Sequence, residues 1–174
     1  MTVPAPLQDA LPRERFRRFM TQWPTGVAVV TATAGEDPVG CTVSALMSLS
    51  LEPPLLVVSL GTGSGTLDAI RTCGSFAVNM LGWEQRELCE RFSRCPQSER
   101  FRGLEVQFHH GIPVLVRTAA AVVCTVTQTV SFADHVLVLG APVWLWADDG
   151  QPPLVYHDRA YRRLSDEDRV GDEP

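Results

Sequence analysis

Lysine is absent from this chain of 174 residues, in which all 15 basic residues are arginine. Schiff-base enzymes, including the usual pyridoxal-dependent enzymes, use a lysine amine as their nucleophile. P-loop nucleotide-binding proteins place a lysine against the phosphates of their ligand. The absence of lysine therefore excludes both classes.

Cysteine pairs and long apolar runs are also missing. The 5 cysteines are an odd number and no two of them show C-x-x-C spacing, which argues against a disulfide framework and against a structural zinc site. No run approaches the roughly 18 apolar residues that a membrane helix needs, and the N-terminus has no apolar segment typical of a secretion signal. We therefore expect a cytoplasmic protein without a metal site and without membrane contact.

Charge is sparse over most of the chain. The net charge is -5, but the acidic residues 165–174 carry most of it and leave the body nearly neutral. A nearly neutral body offers no electrostatic footprint for nucleic acid. We expect a flexible N-terminus over residues 1–11, one domain over residues 12–164, and an acidic disordered tail over residues 165–174.

Hydroxyl side chains are concentrated in residues 39–60. In an extended chain Thr42 and Ser44 share one face, and Ser48 and Ser50 share one face, because alternate residues point the same way. We expect Met47, Leu49 and Leu51, on the opposite face, to pack in a core. A hydroxyl face can donate to phosphate oxygens or to a flat cofactor. The alternative is a strand whose serines and threonines face water.

A glycine-rich loop at residues 61–66, with the sequence GTGSGT, precedes a short predicted helix. Such a loop can hold an anion at the helix N-terminus, with Ser64 or Thr66 as the capping residue. It departs from the dinucleotide-binding fingerprint because Thr66 stands at the third glycine position, although Glu84 lies near the distance expected of a ribose-binding acid. A phosphate site, a dinucleotide site and a plain turn all remain open here.

Secondary structure is predicted to be mainly β. Short strands joined by turns, with three helices attached, are typical of an antiparallel barrel with peripheral helices. The spacing of Phe16, Phe19, Met20 and Trp23 predicts a helix over residues 12–23 whose apolar stripe packs in a core or an interface. His109 and His110 have no acid or thiol nearby at metal-ligand spacing, so we expect both at the surface.

Six motifs in order carry a family resemblance. They are PTGV at 24–27, Gly-x-Thr ending at Thr42, Ser-x-Ser-x-x-Pro-Pro over residues 48–54, FAVN at 76–79, Asp134-His135, and PLVY at 153–156. In this order the chain, from about residue 16 to residue 164, resembles the short-chain flavin reductases. These are FMN-binding proteins that act as the reductase component of two-component flavin-dependent monooxygenases. The resemblance implies a split β-barrel, antiparallel and Greek-key-like, in a homodimer.

The resemblance also implies a function. NADH or NADPH would pass a hydride to FMN or FAD, and the reduced flavin would leave for a partner monooxygenase. His135 would contact the nicotinamide rather than act as an acid or base. Without the resemblance two roles stay open for it, a histidine at the barrel rim that meets a ligand and an ordinary strand-end histidine bonded to Asp134. The residues implied to bind the cofactor are Thr25, Thr42, Val43, Ser44, Ala45, Ser48, Ser50, Ser64, Thr66 and Asn79.

Three departures from the family pattern define an alternative function. Ala133 replaces a usual glycine before Asp134, Ala141-Pro142 replaces a usual Glu-Val, and Leu46 replaces a common aromatic. The first two flank the presumed nicotinamide region. The alternative is therefore a flavin-binding electron carrier or regulatory module without NAD(P)H reductase activity.

Overall fold

Strands dominate the fold in the computed structural model, which describes residues 11–148 and 150–164. The helices are α1 Arg13–Met20, α2 Gly65–Cys73, α3 Arg86–Arg94 and α4 Gln97–Arg100, with a 3₁₀ turn at Trp83–Gln85. The strands are β1 Thr25–Gly26, β2 Ala28–Ala34, β3 Asp37–Val43, β4 Leu46–Leu51, β5 Pro54–Gly61, β6 Ser75–Met80, β7 Val106–His109, β8 Ile112–Leu115, β9 Ala120–Phe132, β10 His135–Ala147, β11 Leu154–His157 and β12 Ala160–Arg163. The predicted acidic tail, and the predicted flexible N-terminus apart from Leu11, lie outside the described residues.

Seven strands form an antiparallel sheet in the order β3-β2-β6-β9-β10-β5-β4. Its two edge strands, β3 and β4, are joined directly by the corner Ser44–Ala45. The Ser59 amide on β5 donates to the Ala45 carbonyl at 3.0 Å. This corner brings the two edges of the sheet together and closes it into a barrel, which confirms the predicted mainly β, antiparallel architecture.

The barrel interior is filled by one face of each strand. Val30, Val58, Phe76 and Val138 are all fully buried there. Tight packing explains Gly140 on β10, since a Cβ at that position would lie 2.6 Å from Phe76 Cζ and 2.7 Å from Cys124 Cβ. A side chain at residue 140 would therefore overpack the core.

The hairpin β7–β8 covers part of the outer face of the barrel, and Asn79 holds it there. The Asn79 amide nitrogen donates to the Val29 carbonyl at 2.9 Å and to Thr31 Oγ1 at 3.1 Å, and its oxygen accepts from the Leu115 amide at 2.8 Å. The Thr31 hydroxyl in turn donates to the Pro113 carbonyl. Asn79 is completely buried, so the structure corrects its assignment as a cofactor-binding residue: its amide joins strands.

Helix α1 lies on the outside of the barrel and buries none of its residues. It is shorter than predicted, since it starts at Arg13 and ends at Met20. The apolar stripe is exposed at all four positions, Phe16, Phe19, Met20 and Trp23. The prediction that it packs in the core of this chain is therefore wrong, and packing in an interface stays a prediction. Within the described part of the chain, no helix is both long and apolar enough to cross a membrane.

A small sheet of order β1-β11-β12 completes the fold. Its hairpin turn is tied to the end of α1, because the Asp158 amide donates to the Thr21 carbonyl at 2.9 Å. On the other side, the Tyr161 hydroxyl lies 3.1 Å from Cys89 Sγ and 3.2 Å from Glu90 Oε1 of α3. This sheet therefore fixes the end of α1 relative to the barrel.

Candidate functional site

A cleft of about 680 Å³ lies where the end of α1 and β1 meet the corner between β3 and β4. Residues of β5 and β10 contribute to its wall, and Pro153 and Leu154 close another side. Four of the ten residues expected to bind the cofactor line it: Thr25, Val43, Ser44 and Ala45.

The cleft is apolar and uncharged. Among the described residues that line it, no side chain carries a charge, and the hydroxyls of Thr25, Ser44 and Ser59 are its side-chain polar groups. Ligand pockets for flat organic molecules combine apolar walls with a few polar groups that fix orientation. This cleft suits an uncharged planar ring.

Backbone geometry explains how these residues come together. Pro24 follows the end of α1, and Thr25 then pairs with Tyr156 in the small sheet. At the opposite side the hydrogen bond between Ser59 and Ala45 holds the corner against β5. The cleft is therefore bounded by hydrogen-bonded backbone.

His135 stands on the sheet face that continues from the cleft. On β10, His135 pairs with Gly61 and Leu137 pairs with Ser59. Since alternate residues of a strand share a face, the His135 side chain lies on the same side as the cleft-lining Leu137, about 7 Å along the strand. Thus His135 borders the cleft without lining it.

Asp134 orients the His135 ring. The His135 Nδ1 atom lies 2.8 Å from Asp134 Oδ1, and this hydrogen bond lowers the pKa of the exposed Asp134 carboxyl. With Nδ1 engaged, Nε2 is the ring nitrogen left to meet a ligand.

The glycine-rich loop lies next to His135. The Thr62 amide donates to the Asp134 carbonyl at 3.0 Å, and the loop ends where α2 begins at Gly65. Ser64 occupies the N-cap position, yet its side chain makes no capping hydrogen bond, and Cys41 Sγ lies 4.0 Å from its hydroxyl. The Ser64 hydroxyl and the first amides of α2 are thus available to an anion.

No group of three or more His, Cys, Asp or Glu side chains suited to a metal ion occurs among the described residues. Burial raises the pKa of the Cys41 and Cys89 thiols and raises that of Cys124 to about 12. These thiols are therefore neutral and weak nucleophiles near pH 7.

Comparison with known proteins identifies the family of this chain. Residues 20–165 match the model of the flavin reductase like domain family. The chain belongs to this family.

Characterised relatives of this flavin reductase-like chain include reductases. It is 39% identical over 162 residues to the NADH-dependent FMN reductase AsuE2 of Streptomyces nodosus subsp. asukaensis, covering 88% of this chain and 86% of the relative. It is 33% identical over 153 residues to the reductase component of 4-hydroxyphenylacetate 3-monooxygenase of Thermus thermophilus, covering 87% and 97%. A solved homologue of nitrilotriacetate monooxygenase component B from Mycobacterium thermoresistibile has a TM-score of 0.86 at 29% identity, covering 91% of this chain and 90% of that one. The split-barrel fold of flavin reductases is confirmed.

The hydroxyl face predicted for residues 42–50 does not exist as one surface in this flavin reductase-like chain. Thr42 points toward α3, where its hydroxyl donates to the Cys89 carbonyl at 2.8 Å. A bulge between Ser48 and Ser50 lets Ser48 pair with Leu56 but Ser50 with Leu55. The two serines therefore point to opposite faces of the sheet, because a bulge inserts one residue into the alternation. Of the four residues, only Ser44 lines the cleft.

Thr66 also differs from its predicted role. Its side chain is only 1% exposed, and its hydroxyl has no hydrogen-bond partner among the described residues. The Thr66 side chain therefore points into the protein, and only its backbone amide remains as a donor to a phosphate. Of the two loop hydroxyls predicted to bind phosphate, the one that is not buried is that of Ser64.

Several cleft residues were not predicted from the sequence. Met47 was expected in the core but lines the cleft, and Ser59, Met80 and Leu137 line it as well. Met80 follows Asn79 directly on β6, and it is Met80 that faces the cleft while Asn79 is buried. Among these unpredicted cleft residues, Trp23 has a recognisable sequence feature: it is a large apolar residue directly before Pro24, at the end of a predicted helix.

Proposed function

We propose that this protein is an NADH-dependent flavin reductase that passes a hydride from nicotinamide to FMN and releases the reduced flavin to a partner monooxygenase. One observation carries the proposal: an uncharged cleft opens onto the sheet face of His135, beside the Ser64 hydroxyl, which makes no capping hydrogen bond. The family membership and the names of the relatives, which are reductases and reductase components, support it.

Each part of the site has a role in this proposal. The cleft, with Thr25, Ser44 and Ala45 in its wall, holds the flavin ring and excludes water from it. Ser64 and the first amides of α2 hold the phosphate. His135, oriented by Asp134, places the nicotinamide. The two cofactors supply the hydride chemistry, so the protein contributes position and polarity.

We propose NADH rather than NADPH as the donor because the relative AsuE2 is named as NADH-dependent. FMN is the proposed acceptor because the relative AsuE2 is named for it, and FAD is the competitor to test.

Release of reduced flavin requires a second protein nearby. The match to a monooxygenase reductase component over 97% of its length supports a flavin-dependent monooxygenase as this partner. A cytoplasmic location fits the proposal because NADH is available there. We also propose that the chain works as a homodimer, which would cover its exposed apolar side chains.

The test is an anaerobic reduction experiment. Purified protein is mixed with FMN or FAD, and NADH or NADPH is added while the flavin absorbance is followed. We expect bleaching with NADH and FMN far faster than without protein, and slower bleaching with NADPH. Saturable flavin binding without faster reduction by either nucleotide would contradict the proposal and support the electron carrier or regulatory module.

A further inference from the structure

We propose that Trp23 is the stacking residue of this site, whose indole packs against the flat heteroaromatic ring of the bound ligand. The inference rests on the proposed function, because the flavin and the nicotinamide are the two sources of such a ring. It assigns a role to a residue that lies outside the recognised family motifs.

Trp23 is placed to contact a ring in the cleft. Among the described residues that line the cleft, it is the one aromatic side chain, and it is 67% exposed. A tryptophan this exposed leaves a large apolar area in contact with water, and a bound ligand could cover that area. The indole is therefore the largest apolar group in the cleft that gains by ligand binding.

The backbone holds Trp23 in position. Its amide donates to the Met20 carbonyl at 3.2 Å, and the Asp158 amide donates to the neighbouring Thr21 carbonyl at 2.9 Å. Pro24 follows and restricts the backbone conformation of Trp23. A stacking residue fixed in this way loses little conformational entropy when the ligand binds.

The surroundings of Trp23 fit a flat uncharged ring. Met20, Met47 and Met80, which are all the methionines in the described part of the chain, line this one cleft. They come from α1, β4 and the end of β6. Thioether side chains are flexible and polarizable, and they make favourable contacts with aromatic rings. Soft apolar contacts without charge favour a heteroaromatic ring over a phosphate or a sugar.

The test compares Trp23→Ala and Trp23→Phe with Trp146→Ala. Trp146 is a matched control because it is 41% exposed on β10 and does not line the cleft. Binding of FMN alone and of NAD⁺ to the FMN-loaded protein is measured by titration, with KM and kcat for NADH measured separately. Circular dichroism verifies that each variant is folded.

We expect Trp23→Ala to weaken binding by about tenfold, the size of an aromatic stack with its buried area. Trp23→Phe should retain most of the affinity. A loss in FMN affinity identifies the isoalloxazine as the stacked ring, and a loss confined to NAD⁺ affinity and the KM for NADH identifies the nicotinamide.

Two results would overturn the inference. If Trp23→Ala binds FMN and NAD⁺ as tightly as Trp146→Ala does, Trp23 does not stack on either ring while the proposed function stands. If wild-type protein neither binds flavin nor accelerates its reduction by NADH, the proposed function fails and this inference fails with it.

Discussion

Ser64 combines an N-cap position with a side chain that makes no capping hydrogen bond. If its hydroxyl holds the flavin phosphate, Ser64→Ala should weaken FMN binding by about 1.5 to 3 kcal/mol, the usual worth of a hydrogen bond to a charged group. Riboflavin lacks the phosphate and should bind Ser64→Ala as it binds wild type. Titration of both flavins measures the difference.

Thr66→Val is the matched control for Ser64→Ala. The Thr66 hydroxyl is buried and unpaired, so replacing it with a methyl group should leave FMN affinity unchanged and should not lower stability. Equal losses of FMN and riboflavin affinity in Ser64→Ala would instead show that the substitution disturbs the loop and that the phosphate lies elsewhere.

His135 is a second residue whose role can be isolated. Its ring is oriented by Asp134 at 2.8 Å and borders the cleft on the face of Leu137. His135→Ala should leave FMN affinity nearly intact but slow anaerobic flavin reduction by NADH about tenfold, because the nicotinamide is less well placed. Stopped-flow absorbance provides the rate.

The exposed His110 offers a control of the same residue type, and His110→Ala should match wild type. An unchanged rate of flavin reduction in His135→Ala would return His135 to the role of a strand-end histidine bonded to Asp134.

Among the secondary-structure elements, the hairpin β7–β8 is joined to the barrel by the buried Asn79 amide and by the Thr31 hydroxyl. Asn79→Ala would leave the Leu115 amide, the Val29 carbonyl and the Thr31 hydroxyl short of a partner. Buried unpaired groups cost about 1 to 3 kcal/mol each, so we expect a loss of about 3 kcal/mol in the free energy of unfolding. Urea denaturation measures it.

Gln107→Ala is the control, since Gln107 is exposed on β7 and should change stability little. Under conditions where Asn79→Ala is still folded, its FMN affinity should equal that of wild type. A selective loss of FMN affinity without a loss of stability would restore Asn79 to the cofactor site.

The path of β3 and β4 differs from what the sequence pattern predicts for the candidate site. Strict alternation along residues 42–50 predicts one hydroxyl face, but the chain turns at Ser44–Ala45 and bulges between Ser48 and Ser50. A corner and a bulge both depend on the tertiary closure of the barrel, which no local pattern contains. Asn79 illustrates the same limit, because a polar residue within an apolar strand predicts a hydrogen bond without predicting whether its partner is ligand or protein.

What the sequence does predict depends on local constraints. Loop glycines and a helix start predict an N-cap at Ser64 or Thr66, and the structure places it at Ser64. The Asp134-His135 pair sits at the tight turn between β9 and β10. Of the four lining residues predicted, Thr25 lies in the motif at residues 24–27, and Val43, Ser44 and Ala45 follow directly after the Gly-x-Thr motif that ends at Thr42. The methionines of the cleft come from three distant segments, so their meeting is a consequence of the fold alone.

For the molecule as a whole, exposed apolar side chains rather than charge indicate where a partner subunit would bind. Leu51 is 81% exposed, Leu145 71% and Phe19 70%, and Phe16 and Phe19 are exposed together on α1. An exposed apolar stripe of this kind is typical of an interaction surface. A second copy of the chain is the proposed occupant, because α1 buries none of its own residues against the barrel and its stripe is left to a partner.

The dimer is tested by placing charge on this surface. Sedimentation velocity at micromolar concentration should give wild type twice the chain mass of 19.1 kDa. Phe19→Glu and Leu51→Glu should shift the protein toward the monomer, since an uncompensated carboxylate is costly inside an interface. Gln107→Glu, on the outer hairpin, should remain dimeric. Met20 at the end of α1 and Trp23 just after it line the cleft, whereas Phe19 does not. We therefore expect dissociation by Phe19→Glu to weaken FMN binding as well. A wild-type monomer that binds FMN with full affinity would contradict the homodimer.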